Sequence, residues 1–368
     1  MALRVDIRKK LDDFLLESAF TCEAPVTGLL GASGCGKSMT LRCIAGVEKP
    51  DEGRIELDGR VLFDSAAGID LKPQKRQVGL LFQNYALFPN MTVEGNLKMG
   101  LKTHEKDSRR AAEKIAGVVS SFGLTGLEKH YPNELSGGQQ QRTALGRIFL
   151  SQPELLLLDE PFSALDEYLR WEMELELADL LEEFGKKTLF VSHNRDEIYR
   201  ICDDVCVMDN GKTGDVVPVR EMFASPGSKA ASLLSGCKNY AKVEKAVPEG
   251  DGIKVTLPEW GVCLICHPKE GLPEDLSSIR WIGVRSHFVR PAGPDDVLNR
   301  IPCRIGHVIE DLFGMILILH PLDEAGSALP ARIRADLSKE EWNRLETKPA
   351  DGERFDVTAA PEDVMPLK

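Results

Sequence analysis

Residues 31–38 read GASGCGKS, the spacing G-x-x-x-x-G-K-[ST]. Glycines at 31, 34 and 36 let the backbone curl until its N–H groups converge, and a following helix would add the partial positive charge of its N-terminus. Lys37 would reach the β and γ phosphates of a nucleotide held there, and Ser38 is placed to hold Mg²⁺. Gly31, Ala32, Ser33, Gly34, Cys35, Gly36, Lys37 and Ser38 are therefore candidate phosphate contacts.

A second set of groups suits the same chemistry. ELLLLDE, residues 154–160, ends an apolar run with two carboxylates. If the run is a strand, successive residues point to opposite faces, giving Asp159 and Glu160 different tasks. Asp159 suits Mg²⁺ through its water shell, and Glu160 suits polarising an attacking water. Gln83 and His193 each close an apolar run, VGLLFQ and KTLFVSH. Gln83 would touch Mg²⁺ and water; His193 would touch the γ-phosphate. In an open parallel sheet all these run ends share one edge, where ligands bind.

LSGGQQQR, residues 135–142, offers a second anion site. Ser136 is a good N-cap, Gly137 and Gly138 permit close backbone approach, and the helix formers that follow begin at Gln139. One chain already has a phosphate loop. If two copies pack head to tail, Ser136, Gly137, Gly138 and Gln139 of each can cover the γ-phosphate held by the other.

Strands and helices must alternate to place these groups. TGLLG, VGLLFQ, ELLLLDE, KTLFVSH and DVCVMDNG read as strands buried on both faces, as a parallel sheet requires. Ile115, Val118, Val119 and Phe122, and then Leu169, Met173, Leu177, Leu180, Leu181 and Phe184, recur at helical spacing and are packing stripes. After residue 211 the apolar runs shorten between Gly, Pro and Asp turns, which predicts a small β domain. With 368 residues the chain has room for two or three domains. Its net charge of −12 gives no general attraction for nucleic acid. No apolar run could span a bilayer and the first residues carry charges, so the chain is read as cytosolic. Nine scattered cysteines are read as reduced thiols. CLICH, residues 263–267, has haem-attachment spacing, but buried strand cysteines fit it better. Cys202 and Cys206 lack the partners a metal site needs.

In this order GASGCGKS, Gln83, LSGGQ, LLLLDE, SALD and His193 resemble the ATP-binding subunits of ABC transporters over roughly residues 1–235. The resemblance implies an α/β P-loop NTPase: a RecA-like core, an inserted helical subdomain near 84–150 bearing the signature turn, and a C-terminal small β-barrel regulatory domain over 236–368. It implies ATP and Mg²⁺ as cofactors, a homodimer in which Ser136, Gly138 and Gln139 act in trans, and a loop at 163–166 crossing the dimer seam. YALFPNMTVEGNL looks like the importer form of the groove for a permease helix, with Tyr85, Leu87, Phe88 and Pro89 exposed. The chain would then sit on the cytoplasmic face of the membrane, peripheral, docked on an integral permease dimer and served indirectly by an extracytoplasmic solute-binding protein. The tail resembles the regulatory domain of importers for oxyanions, iron, polyamines and sugars, with molybdate importers the nearest likeness and sulfate/thiosulfate, ferric iron, polyamine or sugar as alternatives.

Two positions depart from that pattern. Met39 stands where a hydroxyl residue usually follows the Mg²⁺-binding serine, leaving its backbone N–H as the contact. For stacking on adenine the first strands offer Phe14 alone. Two rival readings remain: a soluble ABC ATPase of nucleic acid repair or translation, and a chain whose main function is oxyanion sensing by the tail through Arg285, Ser286, His287 and Arg304.

Overall fold

The computed structural model describes residues 2–101, 107–163, 167–268, 271, 273, 275–345 and 347–368, with backbone alone at 167–169. Two compact units divide between Arg220 and Glu221.

The first unit is built on an eleven-stranded sheet among the described residues. In chain order its strands are β1 (Leu3–Leu11), β2 (Phe14–Cys22), β3 (Val26–Gly31), β4 (Glu52–Leu57), β5 (Arg60–Asp64), β6 (Ile69–Asp70), β7 (Val78–Leu81), β8 (Leu155–Asp159), β9 (Lys187–Ser192), β10 (Asp204–Asp209) and β11 (Lys212–Pro218). They lie in the order β6-β5-β4-β1-β2-β11-β10-β3-β9-β8-β7. The half from β10 to β7 is parallel. Every residue of β3, β8 and β9 is buried, which explains why these strands are apolar over most of their length.

The five strands named from sequence make up that parallel half; the other half lies outside them. β1 pairs antiparallel with β2 and β4, β4 with β5, and β5 with β6. The signal was present in RIELDGRVLF. Asp58 and Gly59 take φ of 50° and 82°, the left-handed pair that a two-residue hairpin turn needs.

Helix α1 (Lys37–Ala45) packs on β3, β7 and β8, and the short α2 (Pro73–Arg76) precedes β7. Between β7 and β8 the chain inserts α3 (Val93–Leu101), α4 (Ser108–Ser121) and α5 (Gly137–Leu150), the expected helical subdomain. Ile115, Val119 and Phe122 are buried and Val118 half-buried, so the α4 stripe is its packing face. α6 (Glu167–Phe184) buries Met173, Leu177 and Leu181; the side chain of Leu169 lies outside the described residues. α7 (Arg195–Ile201) follows β9.

The second unit surrounds its own core, in which Ile253, Trp260, Ile282, Leu317 and Ile333 are closed from solvent. Its first strand, β12 (Asn239–Lys242), follows α8 (Val219–Ala224), which spans the division between the units, and α9 (Lys229–Leu234). β13 (Lys245–Glu249), β14 (Gly252–Leu257) and β15 (Val262–Cys266) form one sheet. β12 and β16 (Trp281–Val284) join the last strand, while β17 (Arg290–Pro291) pairs near the end of the chain. β18 (Cys303–Glu310), β19 (Gly314–Pro321) and β20 (Ile333–Ser338) make another sheet; β21 (Val357–Thr358) is the partner of β17, and β22 (Val364–Leu367) that of β16. The expected β domain is thus four small sheets on one core. α9, placed with the first domain by sequence, packs with the second because Arg285 donates to the Ser235 carbonyl and to that of Phe223.

Candidate nucleotide site

The phosphate loop joins the carboxyl end of β3 to α1. Its backbone needs glycine for two separate reasons. Gly34 and Gly36 take φ of 80° and 112°. At Gly31 a Cβ would lie 2.5 Å from the Met208 carbonyl oxygen, so no side chain fits. Gly36 is also the N-cap of α1 and brings no side chain to its first turn, leaving those N–H groups to a ligand. Ala32, Ser33 and Gly34 form the exposed rim, whereas Cys35 and Met39 turn into the core. For Cys35 and Met39 only the backbone is offered to a phosphate.

Lys37 is 4% exposed, and its ammonium donates to the carbonyls of Gly31 at 2.8 Å and Ala32 at 2.9 Å. It also lies 3.9 Å from Glu160 Oε1. Its charge is thereby held at the mouth of its own loop. Ser38 Oγ donates to Asp159 Oδ1 at 2.7 Å. Burial pushes the Asp159 carboxyl above its ordinary range, against the opposing pull of the Ser38 hydrogen bond.

This is an all-oxygen donor pair, the chemistry a hard cation selects. Among the described residues no group of three or more His, Cys, Asp or Glu could hold a metal alone. Mg²⁺ fits that supply, since it usually completes its octahedron with water and substrate phosphates.

β8 ends at Asp159, and Glu160 takes a left-handed φ of 46° in the turn that follows. The two carboxylates do separate, but through that turn and not through strand alternation. Asp159 faces Ser38; Glu160 Oε2 lies 3.1 Å from His193 Nδ1. The pairing of Asp159 with Val191 across β8 and β9 sets these two ends side by side.

Gln83 stands differently from expectation. β7 stops at Leu81, and Gln83 is exposed in the next turn, on the same sheet edge but not joined to the cluster by a hydrogen bond among the described residues. Tyr85 is 4% exposed with its hydroxyl 3.4 Å from the Pro161 carbonyl, so it packs and does not face a partner. Phe88 is 41% exposed under the Arg147 guanidinium, Pro89 is exposed and Leu87 half-buried. Phe14 lies against the loop, 3.3 Å from where a Cβ on Gly36 would be, and packs on the core.

The second glycine turn opens α5 as a capping box. Ser136 Oγ accepts from the Gln139 N–H, and the Gln139 carboxamide accepts from the Ser136 N–H at 2.9 Å. Gly137 is half-buried and Gly138 buried. Among the described residues no hydrogen bond joins this turn to residues 31–38 of the same chain. Ser163 closes the turn after β8 by donating to the Glu160 carbonyl; residues 164–166 of the expected seam loop lie outside the described residues.

Sequence reasoning missed Ser192 and Glu197. Ser192 Oγ donates to Glu197 Oε2 at 2.5 Å and accepts from the Asn194 N–H at 2.9 Å. A Glu four residues after His193, on a helix capped by Asn194, was the available signal. In the second unit Cys263 is exposed while Cys266 is buried, donating to the Ile253 carbonyl. The expectation that both cysteines of that pair are buried fails because they sit three apart on a strand, on opposite faces. Arg285 and Ser286 are occupied structurally, Ser286 donating to Asp336, and His287 and Arg304 are exposed.

Comparison with known proteins gives the same outline. Residues 19–163 match the family described as ABC transporter. The molybdenum import ATP-binding protein ModC of Paramagnetospirillum magneticum is 40% identical over 61% of this chain and 61% of its own length, so that match spans less than two thirds of the relative. The protein of the same name from Rhodopseudomonas palustris is 33% identical over 95% of this chain and 92% of its own. The spermidine/putrescine import ATP-binding protein PotA of Methylococcus capsulatus is 34% identical over 97% and 88%. Among solved structures, a dimeric ATP-binding cassette in a post-hydrolysis state with ADP and Pi is 25% identical, with a TM-score of 0.51 over 60% of this chain and 99% of that one.

Proposed function

The chain belongs to the ABC transporter family of ATP-binding proteins, and from that premise we propose that it is the ATP-hydrolysing subunit of a solute importer. The observation that carries the reading is one sheet edge holding Lys37, the Ser38–Asp159 pair and the Glu160–His193 pair. Lys37 exchanges the Gly31 and Ala32 carbonyls for β and γ phosphate oxygens, while the loop N–H groups cradle the same phosphates. Ser38 and Asp159 would hold Mg²⁺, with Gln83 brought in from its exposed turn, and the ion would supply neutralisation of charge at the phosphates. Glu160 orients the attacking water and takes its proton, and His193 holds Glu160 and faces the γ-phosphate.

Ser136, Gly137, Gly138 and Gln139 serve the partner copy's nucleotide in a homodimer. Support comes from a relative solved as a dimer and from a second helix N-terminus with no bond to its own phosphate loop. Closing and reopening of the pair drives a membrane permease docked at Phe88 and Pro89. No described helix is long and apolar enough to cross a membrane, and the chain acts as a peripheral subunit on the cytoplasmic face, supplied through an extracytoplasmic binding protein.

Molybdate or a related oxyanion is the favoured solute, since two of the relatives above are molybdenum importers. A polyamine is the second reading, because the spermidine/putrescine relative matches equally much of the chain. Uptake of labelled molybdate, sulfate and spermidine by cells lacking this chain separates them. Glu160→Gln tests the chemistry: ATP binding is kept, a closed dimer accumulates, and turnover falls roughly 10²-fold or more. Turnover near that of the unaltered chain would remove Glu160 from its role.

A further inference from the structure

Between β9 and α7 the backbone turns through His193, and one hydroxyl spans that turn. Ser192, 1% exposed, is the last residue of β9; its Oγ donates forward to Glu197 and accepts from the N–H of Asn194, bracketing His193 on both sides. Glu197 itself is 4% exposed. A carboxylate so placed is costly unless it is hydrogen-bonded, and an apolar side chain would pack there at no such cost. Its other oxygen, Oε1, lies 4.0 Å from Arg170 Nε on α6. α6 begins directly after residues 163–166, and a second ion pair, Arg200 with the buried Glu174, ties α7 to the same helix.

We propose that Glu197 is a positioning residue of the ATPase site: it fixes the Ser192–His193–Asn194 turn so that His193 meets Glu160, and it fastens that turn to α6. In this role Glu197 needs no contact with nucleotide or water. It acts through Ser192 on the direction of the imidazole, whose Nδ1 lies 3.1 Å from Glu160 Oε2. His193 is 57% exposed, so little else restrains it. A tilt of the turn would open the His193–Glu160 contact without altering the loop, Lys37 or Ser38. The loss therefore falls on turnover and not on nucleotide affinity. The inference rests on the roles given above to His193 and Glu160.

The test uses steady-state ATPase of the full chain. Glu197→Met keeps length and removes the acceptor; Glu197→Gln keeps an acceptor for Ser192. Glu197→Met is expected to lower kcat about tenfold or more with KM for ATP changed less than about twofold, and Glu197→Gln to recover most of the loss. Should Glu197→Met fail to fold, Ser192→Ala, which deletes one oxygen, carries the same expectation. A kcat within about twofold of the native chain for the variant that folds, or a fall matched by a rise in KM, overturns the proposal. His193→Ala is measured beside them. If it keeps native turnover, the reading of His193 falls and this inference with it; if it loses turnover while Glu197→Met and Ser192→Ala keep theirs, this inference alone falls.

Discussion

Cys35 sits inside the phosphate loop, yet its thiol is 7% exposed and turned into the core, and burial raises its pKa. The same force pushes Cys22, Cys266 and Cys303 up to about 12 and Cys43 to about 11. Thiolate is the reactive form, so these groups are inert at neutral pH both by access and by ionisation. Cys263 is the exposed thiol. Mass spectrometry after brief maleimide treatment of the native protein at pH 7.5 should find label on Cys263 and leave Cys35 and Cys266 unlabelled. Rapid labelling of Cys35 would mean that the loop opens far beyond the geometry described. At this scale the sequence was most legible where a residue type has one use, as with Lys37 and Ser38. It was least legible where backbone conformation decides. Glu160 and Tyr85 both take left-handed φ, 46° and 60°, which no alternation rule anticipates, and those turns aim Glu160 at His193 and bury Tyr85.

The elements owe their placement to a few buried polar anchors, and Arg76 is the chief of these. It is fully buried at the end of α2, donating to the carbonyls of Cys43 and Ile44 at the end of α1, to Leu71 and to Asp70. A cation there complements the negative end of the helix whose other end faces the phosphates. It also leaves no room beside it: a Cβ on Gly46 would come within 2.5 Å of its Nε. Arg76→Ala should lower stability by about 3 kcal/mol, read from urea unfolding of the full chain, because several carbonyls lose a charged donor and a cavity remains. A change below about 0.5 kcal/mol would show that water replaces the guanidinium without cost. Burial pushes the pKa of Arg76 down but leaves it charged throughout the working range, so the effect should not vary with pH. The sequence located the parallel strands well because burial on both faces leaves few polar residues within them, mostly near their ends, such as Thr27, Asp159, Lys187 and Ser192. It did not show Arg76, since a lysine- and arginine-rich stretch such as KPQKRQ reads as solvated surface until packing singles out one member.

At the scale of the molecule the two glycine turns are again the issue. One lies at the sheet edge; the other opens α5 of the inserted helices, with its own hydrogen bonds closed within the capping box. If copies complete each other's sites, a lesion in the loop and a lesion in the signature turn affect different nucleotides. Lys37→Ala chains and Ser136→Arg chains should each be inactive as homodimers. Mixed in equal amounts, they form mixed dimers in about half the population, and each mixed dimer has one site with both defects and one with neither. ATPase should then return to roughly a quarter of the native rate if sites act independently. Light scattering and a pull-down with differently tagged chains establish that mixed dimers are present. Persistent inactivity in their presence rules out independent reciprocal sites, while activity in either homodimer alone means the damaged group was never needed. The outcome depends on Ser136 and Lys37 acting in different copies, a relation that two short motifs imply but that one chain by itself does not display.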